Sequence, residues 1–196
     1  MTFKPQISQV ETKHNRKIDE VKSQNTITLN ANGEKIEKVL FTRALPAITS
    51  VNVGNGNVTM EGTVYATSLV VTESGVNSLT GQSVFNISYN STAVQEGAQV
   101  FAITKNQGIE NIAVNDLTIS FTSVFSVEIS MVEKEKLTYV NTIAPANEKV
   151  DTLKYTTICC AKNENFDITT EIDLPNSISK VLLAESCGVL KDCSSS

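Results

Sequence analysis

Residues 117–131 decide the fold, and they read LTISFTSVFSVEISM. Seven of the eight odd-numbered positions are apolar, with Ser123 as the exception, whereas serine, threonine and glutamate fill most even-numbered positions. Side chains of a β-strand point alternately to the two faces of a sheet, so this period of two predicts a long strand with one buried and one wet face. One wet face is typical of antiparallel sheets. We expect so long a strand to bend or change sheets near Ser123.

The composition also favours an all-β fold. Thr, Val and Ile number 22, 21 and 16 among 196 residues, and these β-branched residues favour strands. The length suits one domain, or one domain and part of a second. The chain has a net charge of −5, and its 16 Lys and Arg residues are scattered. Because scattered cations form no basic patch, we expect no nucleic-acid partner.

A β-hairpin is predicted around the sequence Gly54-Asn55-Gly56-Asn57. Asn and Gly tolerate positive φ, so strands 45–53 and 58–71 should pair across this turn. The second of these strands has apolar residues on one parity, namely Val58, Met60, Val64, Ala66 and Val70. Gly62 inside it predicts a bulge or a close backbone approach. Shorter alternating stretches predict further strands at 83–89 and 99–104, separated by a polar loop at 90–97.

The chain is predicted to have four parts. Residues 1–19 are expected to form an N-terminal arm or strand, and the charged stretch 13–22 is interpreted as a solvated face. Residues 20–140 are expected to form a complete antiparallel β module, of the sandwich or barrel-like kind. Residues 141–149 are interpreted as a linker, and 150–196 as the opening part of a second repeat.

The prediction of a repeat depends on one internal similarity. Ile36-Glu37-Lys38-Val39-Leu40 recurs as Ile178-Ser179-Lys180-Val181-Leu182, and each copy follows a β-type stretch. Chance similarity between two β-rich segments is the alternative.

The motifs around this similarity match a known pattern. In the first copy, Ile36, Val39 and Leu40 are followed by Val58-Thr59-Met60-Glu61-Gly62, and the second copy has Leu174-Pro175 before Ile178. With these motifs the chain resembles the SPOCS domain family of spore-forming Firmicutes, whose domains often occur in tandem and upstream of a LysM domain. The sequence departs from the family pattern in three ways: Asn32-Gly33 replaces Leu-Pro in the first copy, the second copy stops early, and no LysM domain follows. The resemblance implies a non-catalytic β module that serves spore-envelope assembly through protein contacts, and it brings no catalytic residues.

The residues themselves give little support for catalysis. The single histidine, His14, lies in a polar N-terminal stretch, which argues against Ser-His, Cys-His and multi-histidine metal sites. The candidate carboxylates are dispersed along the chain: Glu61, Glu73, Glu96, Glu110 and Asp116. A glycosidase pair would have to assemble from distant positions, and the chain has no Trp to stack a sugar. We therefore predict no enzyme activity, no catalytic residues and no cofactor.

The four cysteines are Cys159, Cys160, Cys187 and Cys193, all within the last 38 residues. Zinc sites use paired ligands two to four residues apart, a spacing that these cysteines lack, so no metal site is predicted. Their main interpretation is as small buried apolar residues with an incidental thiol in the tail. A crosslink between subunits through Cys160 or Cys193, formed when the envelope becomes oxidised, is the alternative.

The sequence thus predicts a non-catalytic structural or adaptor protein of the spore coat or envelope. Its expected partners are other spore-envelope proteins and further copies of itself. No run of about 18 apolar residues and no apolar signal-peptide core occurs, so no membrane span and a cytoplasmic location in the mother cell, at the forespore surface or in the spore coat are expected. The alternative is a β-sandwich adhesin or phage-type structural protein that binds carbohydrate or a host surface protein.

Overall fold

The structure is a computed structural model that describes residues 6–142 and, singly, residues 169, 171, 173, 181 and 184. Within these residues it contains six strands and no helix. The strands are β1 (Gln6–Asn30), β2 (Ile36–Gly54), β3 (Asn57–Thr72), β4 (Gly75–Asn90), β5 (Val100–Val114) and β6 (Thr118–Thr142). The all-β prediction is therefore confirmed.

Two antiparallel three-stranded sheets form a β-sandwich-like module. Sheet A has the strand order β1-β6-β5, and sheet B has the order β2-β3-β4. Strand β1 lies beside β4 of the other sheet, and β5 lies beside β2. The inward faces of both sheets contribute to one hydrophobic core.

The two central strands, β3 and β6, supply most of the fully buried side chains. Five inward residues of β6 are at most 1% exposed: Ile119, Phe121, Phe125, Val127 and Ile129. Those of β3 are at most 2% exposed: Val58, Met60, Val64, Ala66 and Val70. Both alternating patterns are confirmed, and each buried side chain of this size contributes about 1.5–3 kcal/mol to folding.

Of the bend or sheet change expected near Ser123, the sheet change does not occur. Asn25 of β1 and Ile109 of β5 lie opposite Ser123, and β6 keeps both neighbouring strands through this point. The irregularities lie in the neighbours, where Ile18 of β1 and Gln107 of β5 are extra residues in the register. An edge strand can hold an extra residue more easily because only one of its sides is paired.

The predicted hairpin is confirmed. Val53 pairs with Val58 and Gly54 with Asn57, and Gly56 in the turn has a φ of 75°. The close approach predicted at Gly62 is also present, since a Cβ atom there would lie 2.2 Å from Cζ of Phe85 and 2.4 Å from the carbonyl oxygen of Ala47. The pairing of β2 with β3 thus depends on the turn between them and on Gly62, which has no side chain and lets the backbone of β2 approach.

The outer strands are longer than the sequence predicts. Strand β2 begins at Ile36 instead of residue 45, β4 begins at Gly75 instead of residue 83, and β5 continues to Val114 instead of ending at 104. Glu37 and Leu40 in β2 and Gln107 in β5 are extra residues in the register. Each extra residue reverses the parity of the apolar positions, which hides the alternation from sequence inspection.

Strands β1 and β6 continue past the end of sheet A as a two-stranded ribbon. Strand β5 begins opposite Met131, and beyond this point residues 6–15 pair with residues 132–142. At about 3.3 Å per residue the ribbon is about 33 Å long. Strand β6 therefore continues beyond the charged residues 133–136, and β1 runs without a break through the expected boundary at residue 20.

Side-chain hydrogen bonds join the two sheets along both seams. At the β1–β4 seam, Nδ2 of Asn25 donates to the carbonyl oxygen of Val84 at 3.0 Å. At the β2–β5 seam, Nδ2 of Asn106 donates to the carbonyl oxygen of Ala44 at 2.7 Å. These bonds satisfy main-chain acceptors at the sheet edges, where no neighbouring strand is available to do so.

Candidate functional site

The outer face of sheet B is the candidate site, and the pairing register defines its rows of side chains. Odd-numbered residues of β3 point outward because the even-numbered ones are buried. Tyr65 lies at the middle of β3, with Leu45 of β2 and Gln82 of β4 directly opposite it. Along β3, Thr63 and Thr67 occupy the neighbouring outward positions. The centre of this face therefore has an aromatic ring surrounded by aliphatic and hydroxyl side chains.

Five apolar residues on this face form what we call the apolar patch: Phe41, Leu45, Tyr65, Leu69 and Val84. Val84 is 77% exposed and Tyr65 is 51% exposed, and Leu45 is 41% exposed. Three strands about 4.8 Å apart and 16 residues long give the face an area of about 750 Å². A standard protein interface buries about 800 Å² on each side, so the face is large enough to hold a protein partner.

Two charged residues of this face lie on opposite sides of Tyr65, and one of them, Arg43, lies between the Leu45–Tyr65 and Phe41–Leu69 rows of the patch. Arg43 is opposite Thr67, on one side of Tyr65 along the strand direction. Glu61 lies on the other side of Tyr65, and its Oε2 accepts a hydrogen bond from Oγ of Ser50 at 3.3 Å. The apolar patch therefore contains one cation and is followed by one carboxylate beyond Tyr65, so it fits a partner that is apolar and carries complementary charges.

The outer face of sheet A is different, because charged side chains cover its centre. Nζ of Lys17 lies 2.7 Å from Oε2 of Glu20 and 3.0 Å from Oε2 of Glu128, and Nζ of Lys105 lies 2.7 Å from the same Glu128 oxygen. Oγ of Ser126, a buried residue below these charges, donates to Oε1 of Glu20 at 2.7 Å. Two cations and two carboxylates satisfy one another at the centre of this face, and Ile103 of β5, opposite Glu128, is 61% exposed beside them.

The same network shifts the ionisation of its members. The hydrogen bond from Lys17, followed by the bond from Ser126, contributes most to lowering the pKa of Glu20 to about 2. The hydrogen bond from Lys105 lowers the pKa of Glu128, and the bond to Glu20 raises the pKa of Lys17. All three groups are held in their charged forms at neutral pH.

The structure does not bring the candidate carboxylates together. Glu61 is on the outer face of sheet B, Glu110 is on β5 of sheet A, and Glu96 is in the loop between β4 and β5. Glu73 and Asp116 occupy two different turns, after β3 and before β6. Nε2 of His14 lies 3.6 Å from Oε2 of Glu133 on the ribbon.

Within the described residues, no three His, Cys, Asp or Glu side chains are placed to hold a metal ion. The four cysteines, the linker beyond residue 142 and the second repeat lie outside those residues, apart from the five isolated positions. The predictions for them therefore stay predictions.

Two concave regions of the surface are less suited to binding a partner. A groove of about 560 Å³ between the ribbon and the β4–β5 loop is lined by both signs of charge, including Lys13, Glu96 and Glu133. At the opposite end of the module, Oε2 of Glu34 accepts hydrogen bonds from Ser74 at 2.7 Å and from Asn77 at 3.1 Å. These bonds tie the β1–β2 loop to the β3–β4 turn, which is a structural role.

The fold and the candidate site define a β-sandwich-like module with a charged cover on one sheet and an exposed apolar patch on the other. Comparison of the chain with protein-family models, curated proteins and solved structures finds no match. No helix within the described part of the chain is long and apolar enough to span a bilayer.

Sequence inspection missed the apolar patch, although a signal was present. Leu69-Val70-Val71 and Val64-Tyr65-Ala66 are apolar on both parities of β3. A strand with one wet face should alternate, so apolar residues on both faces indicate that the second face is also covered by something. Val84 had no such signal, because it is the single apolar outward residue among polar neighbours in the predicted strand 83–89.

Proposed function

We propose that this chain is a non-catalytic structural or adaptor protein that joins a larger protein assembly through the outer face of sheet B. The observation that carries the proposal is the apolar patch, in which Tyr65 and Val84 are more than half exposed. A patch of this kind on a folded domain is typical of a protein-binding surface. Tyr is also among the residues that contribute most to binding energy at interfaces.

The rigidity of the surface supports the same proposal. Tyr65, Leu69 and Val84 of the patch lie on β3 and β4, which pair without a register shift, and the core residues below them are almost fully buried. A side chain held on such a sheet loses little conformational entropy when a partner binds. The scaffold therefore presents its apolar residues in a fixed arrangement.

The charge distribution favours protein over nucleic acid as the partner. Arg16, Lys17, Lys35, Lys105 and Lys134 each lie within ion-pair distance of a carboxylate. Cations that are paired within the chain contribute little to a phosphate-binding patch. The partners that we propose are proteins, and the surface used is apolar.

We place this assembly in the spore coat or envelope because of the resemblance to the SPOCS domain family. The protein would act in the mother cell, at the forespore surface or in the coat, with other spore-envelope proteins as partners.

The test is imaging of a fluorescent fusion in the sporulating bacterium. We expect the wild-type fusion to gather at the forespore, and a Tyr65→Lys/Val84→Lys fusion to stay diffuse. Gln24→Lys adds a lysine to the exposed outer face of sheet A and serves as the control that should still be recruited. A wild-type fusion that stays diffuse throughout sporulation would refute the coat assignment. Recovery of the protein on carbohydrate or host surfaces instead would favour the adhesin or phage-type alternative.

A further inference from the structure

We infer that the partner of the outer face of sheet B is a second copy of the same chain, packed face to face about a two-fold axis that lies between the two faces, over the centre of β3. This inference rests on the proposed assembly role and names the occupant of the same surface. Tyr65 of each copy would lie next to the axis, and the apolar patches of the two copies would cover one another.

The size of the face fits this occupant. The face covers about 750 Å², and two such faces bury about 1,500 Å² in total, within the range of stable specific interfaces. Sheets that pack face to face keep their strand directions within about 30° of each other. Two copies of one twisted sheet can therefore contact each other over most of their length. The outer face of sheet B is therefore large enough by itself to hold a second copy of the chain.

The charges on the face fix the direction of packing. Along β3, Glu61 is four residues from Tyr65 toward one end, and Arg43 pairs with Thr67, two residues from Tyr65 toward the other end. A two-fold axis across the strands makes the two β3 strands antiparallel, so Glu61 of each copy lies over the half of the face that carries Arg43 of the other copy. An axis along the strands would instead place the two Glu61 carboxylates opposite each other, which is unfavourable. The face is thus electrostatically complementary to itself in one orientation.

The contact is isologous and closes on itself, so it produces a dimer and no filament. Sheet A stays outside this contact with its network of Lys17, Glu20, Lys105 and Glu128 in water. The ribbon of β1 and β6 also stays outside, because it extends from sheet A. Each dimer would therefore offer two ribbons and two charged faces to other components of an assembly.

Sedimentation velocity on the full 196-residue chain tests the inference, with a reductant present so that no disulfide can link two copies. We expect a reversible monomer–dimer equilibrium. Tyr65→Lys should raise the dissociation constant by on the order of 30-fold or more, as for loss of a central interface residue. Gln24→Lys, on the exposed outer face of sheet A, should leave it unchanged.

A charge exchange gives a second test that leaves the apolar patch intact. Glu61→Arg and Arg43→Glu should each weaken the dimer, and the double variant should recover most of the lost affinity. A wild-type chain that remains monomeric at concentrations up to about 300 μM would overturn the inference. Two charge variants whose effects simply add in the double variant would overturn the proposed orientation. If the chain is monomeric but its recruitment to the forespore still depends on Tyr65, the second copy is refuted and the assembly role stands.

Discussion

Replacement of Gly62 by alanine tests the packing of the module directly. The new Cβ atom would lie 2.2 Å from Cζ of Phe85 and 2.4 Å from the carbonyl oxygen of Ala47. Carbon and oxygen atoms in van der Waals contact lie about 3.5 Å apart, so something must move by about 1 Å. The ring of Phe85 is confined because it packs on Phe125 with a centroid distance of 4.7 Å. The Ala47 oxygen belongs to the backbone of β2, which is paired with β3 on both sides of this point.

Neither neighbour can move without loss of packing, so Gly62→Ala should destabilise the protein by about 3 kcal/mol, the upper part of the usual range for overpacking. At about 3 °C per kcal/mol for a protein of this size, the melting temperature should fall by about 10 °C. The matched control is Gly54→Ala, since φ at Gly54 is not positive and its added Cβ would lie 3.8 Å from the carbonyl oxygen of Asn57. That variant should be neutral or gain up to about 1 kcal/mol through the unfolded chain.

The assay is urea and thermal unfolding followed by far-UV circular dichroism at one fixed protein concentration, because association would otherwise shift the midpoints. Phe85→Leu combined with Gly62→Ala should recover part of the loss by removing the ring contact. A Gly62→Ala variant as stable as Gly54→Ala would refute the close packing of β2, β3 and β4 at this position.

Three further predictions concern polar groups in and around the core. Oγ of Ser123 is buried without a hydrogen-bond partner. Ser123→Ala should therefore raise the free energy of unfolding by about 1 kcal/mol in urea titrations, and a loss of stability would show that the hydroxyl has a partner. The pKa of Glu20 is lowered to about 2 from an ordinary value near 4.5, so its contribution to stability is present above pH 4.5 and is lost as the pH falls toward 2. The difference in melting temperature between wild type and Glu20→Gln should therefore shrink from pH 6 to pH 2, and a constant difference would contradict the ion network. Asn25→Ala should cost about 0.5–1.5 kcal/mol because it removes the hydrogen bond to the carbonyl oxygen of Val84. Asn86→Ala, at an exposed position, should change stability by less than about 0.5 kcal/mol, and equal effects would show that the seam bond is not structural.

The central strands could be predicted from the sequence because their pairing register is regular where they are buried. Strand β6 keeps its period of two from Ile119 to Met131, and β3 keeps it from Val58 to Val70. Each has a neighbour on both sides, which leaves no room for an extra residue within the buried part. Composition and alternation therefore sufficed for the fold class and for most of the core.

The edge strands could not be predicted in full because their pairing register is irregular. Glu37, Leu40 and Thr49 are extra residues in the register of β2, so Ile36 and Val39 face the core without a period of two between them. The motif Ile36 to Leu40, which carries the resemblance to a known family, is thus the start of an edge strand with two bulges. Bulges of this kind also hinder pairing between edges of different molecules.

The candidate site could not be predicted from the sequence, because its residues come together only in the folded structure. Tyr65 and Val84 are 19 residues apart in the sequence, and they meet on one face only because β3 and β4 pair in the observed register. Val84 shares a row with Thr63, next to the row of Tyr65. A single sequence shows which residues are apolar, but the register decides which of them form a continuous surface.

Site-specific photo-crosslinking in the sporulating bacterium shows which face of the protein contacts its partners. A photoreactive phenylalanine analogue replaces Tyr65 on the outer face of sheet B or Gln24 on the outer face of sheet A, and the crosslinked products are identified by mass spectrometry. We expect protein adducts from position 65, with a second copy of the chain among them, and few or none from position 24. Equal yields at the two positions, or no adduct from position 65, would contradict the claim that this face is where the protein joins an assembly.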